Sequence, residues 1–460
     1  MLIELHFSND GAKRRPICGL LLILAGLCAS PASALAENST DTWKQDMEQK
    51  IDALTQELER MKLNSGPAPA AAPAAASPAP YEFGPSAGKV YTVDRGLSIG
   101  GYGELIYQSF EHAKADSPVG DETEPRNAEL NLARWVLYTG YRFTDKIVFD
   151  SELEVEAANS SKSGEVEAEF AFLDFALSKP IGLRVGELLL PIGLTNEYHE
   201  PTVFNSVLRP DVEQFLIPTT WHENGAGYYG SLGPWAYRGY VVAGLRAAAD
   251  ENMNQDGFQP DIGLLEGRQE GSRSRAHDLA YAQRLDYIGI PGSLIGGSVY
   301  LDNAGQGDTL ADGTRINAPL TMWEVHLKGN ARGFDWRALY TQTTIGGVGE
   351  IDQANGLTGN QSVGQYLWGG YIEVAYDVFT IMMPGAGQSL SPFFRYERYN
   401  TQGTVPSGYS SDPANDRRVY TMGLSYKPIP RVVLKADYQV RASHGGGGVN
   451  QFNAGAGYEF

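Results

Sequence analysis

Several groupings of residues in this chain have the types and spacing for chemistry. His222-Glu223 opens like the helical zinc pair of a metalloprotease, but Ala226 stands where the second histidine belongs. Gly225-Ala226-Gly227-Tyr228-Tyr229-Gly230 has the spacing of a dinucleotide loop. No helical pattern follows it, and two tyrosines sit where a phosphate must approach the backbone. Asn252, Asn254, Asp256 and Gly257 resemble the start of a calcium loop, yet its twelfth position is Gly263 rather than glutamate, so a polar turn is the simpler reading. His199, Glu200, His222 and Glu223 carry ligand atoms that a fold could gather around a metal; hydrogen bonds tying a loop to its surroundings are the simpler use. Asp150, Glu152, Glu154, Glu156, Glu165, Glu167 and Glu169 are dense enough to suggest paired acid and base, but an open wet setting does not tune such a pair. No metal, cofactor or enzymatic activity is expected.

A mixture of chemistry-bearing and apolar residues falls in one stretch, Pro191–Gly225. It mixes Phe204, Leu208, Phe215, Leu216 and Trp221 with Glu197, His199, Glu200, Arg209, Asp211, Glu213, His222 and Glu223. A long connection with this much apolar content is a functional loop that buries surface, not a disordered one. What it packs into follows from the elements around it.

Composition points to strands. The 460 residues include 54 Gly and 25 Tyr, and aromatic residues make up 11%. A mean hydropathy of −0.28 excludes a bundle of membrane helices but not a membrane barrel, whose strands bury alternate residues only. From about residue 95 to 460 the pattern has period two. Sixteen candidate strands lie near 95–110, 127–143, 146–158, 164–179, 181–190, 225–232, 235–247, 276–289, 293–303, 318–329, 332–344, 362–378, 388–400, 416–428, 431–442 and 449–460. Their connections alternate long and short, as in an outer-membrane barrel with short periplasmic turns and longer external loops. The expected fold is all-β: a sixteen-stranded antiparallel transmembrane barrel.

Alternation then assigns the faces. Ile147, Phe149, Leu153, Val155, Val166, Ala168 and Phe170 are expected toward lipid. The carboxylates above, with Glu104, are expected to line the lumen, and the parity of the fourth strand slips at Phe172-Leu173. Arg134, Arg142, Arg184, Arg238, Arg246, Arg284, Arg337, Arg395 and Lys435 point inward by the same rule, as do Glu373, Glu397 and Asp437. Such residues can merely solvate a wet lumen. As a set, acid on one wall and base on others sets up a transverse field.

The N-terminal part reads differently. Residues 1–36 form a signal peptide, with Lys13, Arg14 and Arg15 before the apolar Ile17–Leu27 and a small-x-small site at Ala34-Leu35-Ala36. Both cysteines, Cys18 and Cys28, leave with it, so disulfide chemistry is excluded from the mature chain. The net charge of −19 disfavours nucleic acid as a partner. Residues 37–64 read as a short periplasmic helix whose Met47, Ile51, Leu54, Leu58 and Met61 form either an amphipathic face or a coiled-coil seam. Residues 65–94 are a Pro/Ala-rich linker and lead-in, and the barrel spans 95–460.

Gly100–Tyr107 (GGYGELIY), Leu190–Gly225, Pro392–Asn400 (PFFRYERYN) and the closing strand together resemble the phosphate-selective porin O/P family, over roughly residues 95–460. The resemblance implies a homotrimeric outer-membrane porin. It implies passage of small solutes, phosphate and other anions among them, through a lumen narrowed by an inward-folded third loop, here 191–225. It also implies an arginine ladder and a lysine cluster; the loop has no such cluster, Arg209 being its one long cationic side chain. Tyr458 and Phe460 resemble the signal by which the barrel-assembly machinery takes up outer-membrane strands. The alternative is a structural or adhesive barrel with little conductance.

Overall fold

The computed structural model describes residues 83–111, 127–157, 164–178, 180–250 and 255–460. The expected signal peptide, the helix over 37–64 and the linker up to residue 82 lie outside the described residues, as do Asn252 and Asn254.

Period-two patterning produces sixteen strands, and each falls on an expected one with ends displaced by a few residues. They are β1 Gly96–Phe110, β2 Glu129–Thr144, β3 Ile147–Glu156, β4 Val166–Ser178, β5 Ile181–Leu189, β6 His222–Leu232, β7 Trp235–Ala243 and β8 Leu279–Tyr287. The second half comprises β9 Ser293–Asn303, β10 Pro319–Ala331, β11 Phe334–Ile345, β12 Tyr366–Tyr376, β13 Ser389–Thr404, β14 Asp416–Ile429, β15 Val432–Ser443 and β16 Gln451–Glu459. Each pairs antiparallel with its sequence neighbours, and β1 pairs with β16 (Tyr102 opposite Glu459) to close the barrel. Closure leaves no sheet edge unpaired.

The outer face is apolar along the wall: Leu97, Ile99 and Leu105 on β1, Trp323, Val325 and Leu327 on β10, and Met422 and Leu424 on β14 are all exposed. In water such a surface would drive association; a hydrocarbon phase would cover it. At the end carrying the short turns, aromatic pairs cluster: Trp235 against Tyr287 with ring centroids 5.0 Å apart, Phe334 against Tyr376 at 4.6 Å and Tyr141 against Phe143 at 4.9 Å. Amphipathic rings favour the boundary between hydrocarbon and water.

Two inward features depart from the alternation expected from sequence. The slip in β4 lies at Glu169, because Glu152 pairs with Phe170 while Leu153 pairs with Ala168. The bulge turns both Glu169 and Phe170 inward, so Phe170 faces the lumen and is fully buried. Glu165 lies before β4 and is exposed. The second feature explains the first. The lead-in does not remain outside as spacer: Phe83 packs on Phe170 and Phe172, each ring 5.8 Å away, and Ala87–Thr92 forms a 3-10 helix within the turn end of the barrel. Ser86 Oγ donates to Phe460 O at 2.6 Å, Tyr91 OH to Asp174 Oδ2 at 2.9 Å, and Arg142 donates to the carbonyls of Tyr91 and Val93 at 3.0 Å. The inward aromatics of β4 are the floor on which this segment lies.

Candidate functional site

The connection between β5 and β6 runs from Leu190 to Trp221. It is shorter than the 191–225 of the sequence reading, because His222 and Glu223 pair with Leu189 and Leu188 and so belong to β6. Their polarity suggested a loop; the ladder accepts them because neighbouring segments cover their side chains, and Glu223 Oε1 accepts from Gln269 N at 2.9 Å.

Internal hydrogen bonds shape the loop first. At its neck, Asn196 Nδ2 donates to Leu190 O (2.7 Å) and Trp221 O (2.9 Å), while Trp221 N donates to Asn196 Oδ1 (2.6 Å). One side chain thus joins the two ends. Glu213 joins the two legs: its Oε2 accepts from Leu194 N and Thr195 N, both at 2.7 Å, and from Thr195 Oγ1 at 3.0 Å. Gly193 permits this approach. Its φ is +77°, and a Cβ there would stand 2.6 Å from Glu213 Oε2.

The wall then holds the loop from several sides. Glu213 Oε1 accepts from Tyr371 OH on β12 at 2.6 Å, and Glu197 pairs with Arg238 on β7 at 3.1 Å. Arg284 on β8 donates to Gly193 O, and Arg337 on β11 to Val203 O at 3.1 Å. Arg395 on β13 donates to Ser206 Oγ, and Lys435 on β15 to Ser206 O at 2.9 Å. Carboxylates take the loop's donors: Glu373 from Asn205 at 3.0 Å, Asp437 from Val207 N at 2.6 Å, Glu397 from Val212 N at 3.2 Å, and Glu459 from Thr202 Oγ1 at 2.7 Å. Asp211 accepts from Tyr399 OH at 2.9 Å and pairs with Arg441.

The deepest part of the loop meets the lead-in. Glu200 Oε1 accepts from Ser86 N and Ala87 N, both at 3.0 Å. Burial, reinforced by the neighbouring Glu459, pushes the Glu200 carboxyl up to about 9. Gly84 lies against the same carboxyl, 2.3 Å from where its Cβ would be. His199 turns the other way, toward β3 and β4, with Nε2 3.3 Å from Glu152 Oε1 and 3.6 Å from Glu169 Oε2. Burial lowers the His199 pKa, the cation of Arg209 adding to that effect and Glu169 opposing it.

Of the expected lumen residues, Glu104, Asp150, Glu152, Glu154, Glu169, Arg184, Arg238, Arg284, Arg337, Arg395 and Lys435 are inward and buried. Arg134 is partly buried and bridges Glu104 (3.4 Å) and Glu154 (3.1 Å), with Glu156 3.9 Å away. Glu167 is half-buried at the start of β4. Arg246 is not on the wall: β7 ends at Ala243, and Arg246 sits in the following loop, bound to Asp308 at 2.8 Å and to Asp250. Sequence reasoning did not pick out Asn196, Asp286, Glu324 or His326. His326 Nδ1 lies 2.8 Å from Glu324 Oε2 and Nε2 lies 2.9 Å from Asp286 Oδ1, a buried cluster joining β8 and β10. Strand alternation places these three inside and was a usable signal; for Asn196 the sequence carries none.

Space remains on both sides of the loop. A cavity of about 350 Å³ at the loop end is bordered by Asp211, Phe215, Tyr399, Arg417 and Arg441. One of about 490 Å³ at the turn end is bordered by Glu197, Tyr198, Arg238, Arg284 and Lys328.

An uncharacterized protein of Aquifex aeolicus (strain VF5) is 36% identical over 369 residues, which cover 78% of this chain and 79% of that protein. The chain belongs to that protein's family. No family model matches the sequence. Among solved structures, OmpF of Salmonella typhi in complex with daunomycin is similar with a TM-score of 0.51 and 12% identity, covering 80% of this chain and 98% of that one. The outer membrane channel DcaP of Acinetobacter baumannii is similar with a TM-score of 0.50 and 12% identity, covering 79% and 97%. At such identity the shared property is the fold.

Proposed function

We propose that this chain is an outer-membrane porin through which small hydrophilic solutes or ions diffuse, past an aperture set by the loop Leu190–Trp221. The observation carrying this reading is the loop's position. It lies inside a closed barrel with an apolar exterior and a charged interior, with a cavity on either side of it. DcaP, described as an outer membrane channel, shares the fold and supports the same role. The barrel's exterior supports outer-membrane lipid as its surroundings. Assembly through Tyr458 and Phe460, both exposed at the closing strand, and association as a homotrimer belong to the same proposal.

Phosphate selectivity is the less favoured form. Arg337 and Arg395 are committed to Glu373, Glu397 and loop oxygens, and Lys435 to Ser206 O. These cations hold the loop rather than line a path. The acidic wall of β3 and β4 favours cations. A barrel of little conductance is supported by the same hydrogen bonds, which fasten the loop to many strands.

Planar-bilayer recording of the purified mature protein separates these readings. Open steps are expected, larger when 194–219 is replaced by a short glycine-serine bridge, with a reversal potential of cation sign. Absence of steps in the intact protein, with steps in the deletion, would make the loop a plug. Equal conductance in both would place the aperture elsewhere.

A further inference from the structure

One cluster is not explained by the loop's attachment. Where His199 meets the acidic wall, three electron-pair donors face one another. His199 Nδ1 lies 2.8 Å from Asn196 O; a carbonyl only accepts, so Nδ1 carries a proton, and in the neutral ring Nε2 presents its lone pair. That lone pair is aimed at Glu152 Oε1 (3.3 Å) and Glu169 Oε2 (3.6 Å), and the three atoms lie within 4.8 Å of one another. Lone pairs so placed repel unless a positive centre lies between them.

The two separations from His199 Nε2, 3.3 and 3.6 Å, fit an ion. Ligand atoms about 2.0–2.2 Å from a tetrahedral zinc-like ion stand about 3.3–3.6 Å from each other. All three side chains are buried, on a loop and two adjacent strands. The surroundings point the same way. Among the described residues, Glu152 Oε2, Glu154 Oε2 and Glu169 Oε2 are buried without a donor at bonding geometry, and the Glu154 and Glu169 carboxyls lie against each other. Tyr102, fully buried with its ring edge-on to His199 at 6.1 Å, has an unpartnered hydroxyl. Glu169 reaches the cluster because the β4 bulge turns it inward beside Phe170. Thr220 Oγ1 donates to its other oxygen, orienting the carboxylate. Asn196, which closes the loop's neck, fixes the histidine tautomer through its carbonyl, as residues behind metal ligands do.

We propose that Glu152, Glu169 and His199 bind one divalent transition-metal ion of the zinc class, pinning the loop to the β3–β4 wall. One nitrogen and two carboxylates favour zinc or cobalt over calcium, which takes six to eight oxygens at longer distances. The site joins two wall strands to the loop that sets the aperture, so metal occupancy controls how firmly that loop is held.

The test uses the full mature protein, stripped with chelator and titrated with Zn²⁺ alone against a competing zinc indicator. One tight site per chain is expected. His199→Gln, Glu152→Gln and Glu169→Gln should each weaken it at least about tenfold, the scale lost when even a residue behind a metal ligand is changed. Heat-modifiable migration on gels reports whether each barrel has folded. If His199→Gln disturbs the loop, the two wall variants carry the test, since they leave the loop sequence intact. The exposed His277, 3.2 Å from Asp278, is the competing surface site, and His277→Ala should leave the tight site unchanged. No tight binding by the stripped protein, or equal binding by all three ligand variants, would overturn the assignment. Binding is read without conductance, so its failure and that of the porin reading are distinct.

Discussion

Two walls of the same lumen handle charge in opposite ways. On β11 to β13, each buried carboxylate meets a cation: Glu373 lies between Arg337 (3.4 Å) and Arg395 (3.2 Å), and Glu397 faces Arg395 at 2.7 Å. The arginines then extend to loop oxygens. On β3 and β4 five carboxylates are buried: Asp174 is paired with Arg184 at 2.9 Å, whereas Asp150, Glu152, Glu154 and Glu169 crowd together with cations reaching them from the margins, Arg184 at Asp150, Arg134 at Glu154 and Arg209 across the loop. The first wall is a finished network that anchors the loop. The second holds more negative charge than its own side chains neutralise. Buried polar networks are strong when complete and costly when partial, so the two should respond differently to loss of charge.

The largest effect should come from the finished wall. Arg395→Met leaves Glu397 without its cation and Glu373 with Arg337 alone, and it releases Ser206 Oγ and Leu208 O from the wall. Breaking one side of a buried pair costs about 3–5 kcal/mol. A clearly lowered thermal midpoint of the folded barrel is expected, with noisier and larger conductance steps as the loop loosens. An unchanged midpoint would mean that water already screens this wall.

A second break is at the contact between lead-in and loop. Gly84→Ala places a methyl group against the Glu200 carboxyl, and overpacking of this kind costs about 1–3 kcal/mol. Because among the described residues it is the lead-in, 83–94, that is fastened there, the expected result is faster proteolysis of the lead-in with the barrel intact. Global unfolding instead would make the lead-in part of the barrel's core.

The acidic wall should behave in the opposite sense. Glu154→Gln removes one negative charge from a crowded set and keeps an oxygen for Arg134, so stability should change by no more than about 1 kcal/mol, in the favourable direction. Cation preference should fall. A loss as large as that of Arg395→Met would mean that Glu154 is as fully paired as Glu373.

This contrast marks how far the sequence can be read. Period two and the parity of connection lengths located sixteen strands and the side on which Glu152, Arg284 or Arg395 lies, because both depend on the residue's own neighbours in the chain. Partners depend on loop path. Nothing local to Arg395 says that Ser206 will meet it 189 residues away. The β4 slip was detectable as a parity fault, but its place at Glu169 followed from Phe83 needing Phe170 and Phe172 on one floor. The packing of the lead-in was not legible because its apolar residues, Phe83, Val90 and Tyr91 among them, have no periodicity; they fit a barrel mouth rather than a face of their own. Arg246 was misassigned by its alternation with Leu245, which continues past the last ladder residue Ala243.

The most local effect expected is a pH dependence at Glu200, and it tests whether the two walls are tied through the loop's deep end. In the folded protein its carboxyl is raised to about 9 from an ordinary 4.5, chiefly by burial and then by Glu459. Between those values the folded state holds a proton that the unfolded state releases. The stabilisation is therefore fully present below about 4.5, declines as pH rises, and is gone above about 9. Two backbone N–H donors from Ser86 and Ala87 favour the ionised form and moderate the loss. Lead-in proteolysis should accelerate between pH 7 and pH 10, and Glu200→Gln, fixed in the neutral form, should flatten that rise. If the conductance of the intact channel becomes noisier over the same interval and that of Glu200→Gln does not, loosening at the lead-in reaches the aperture. If proteolysis alone responds, Arg395 and its neighbours hold the loop without help from the lead-in.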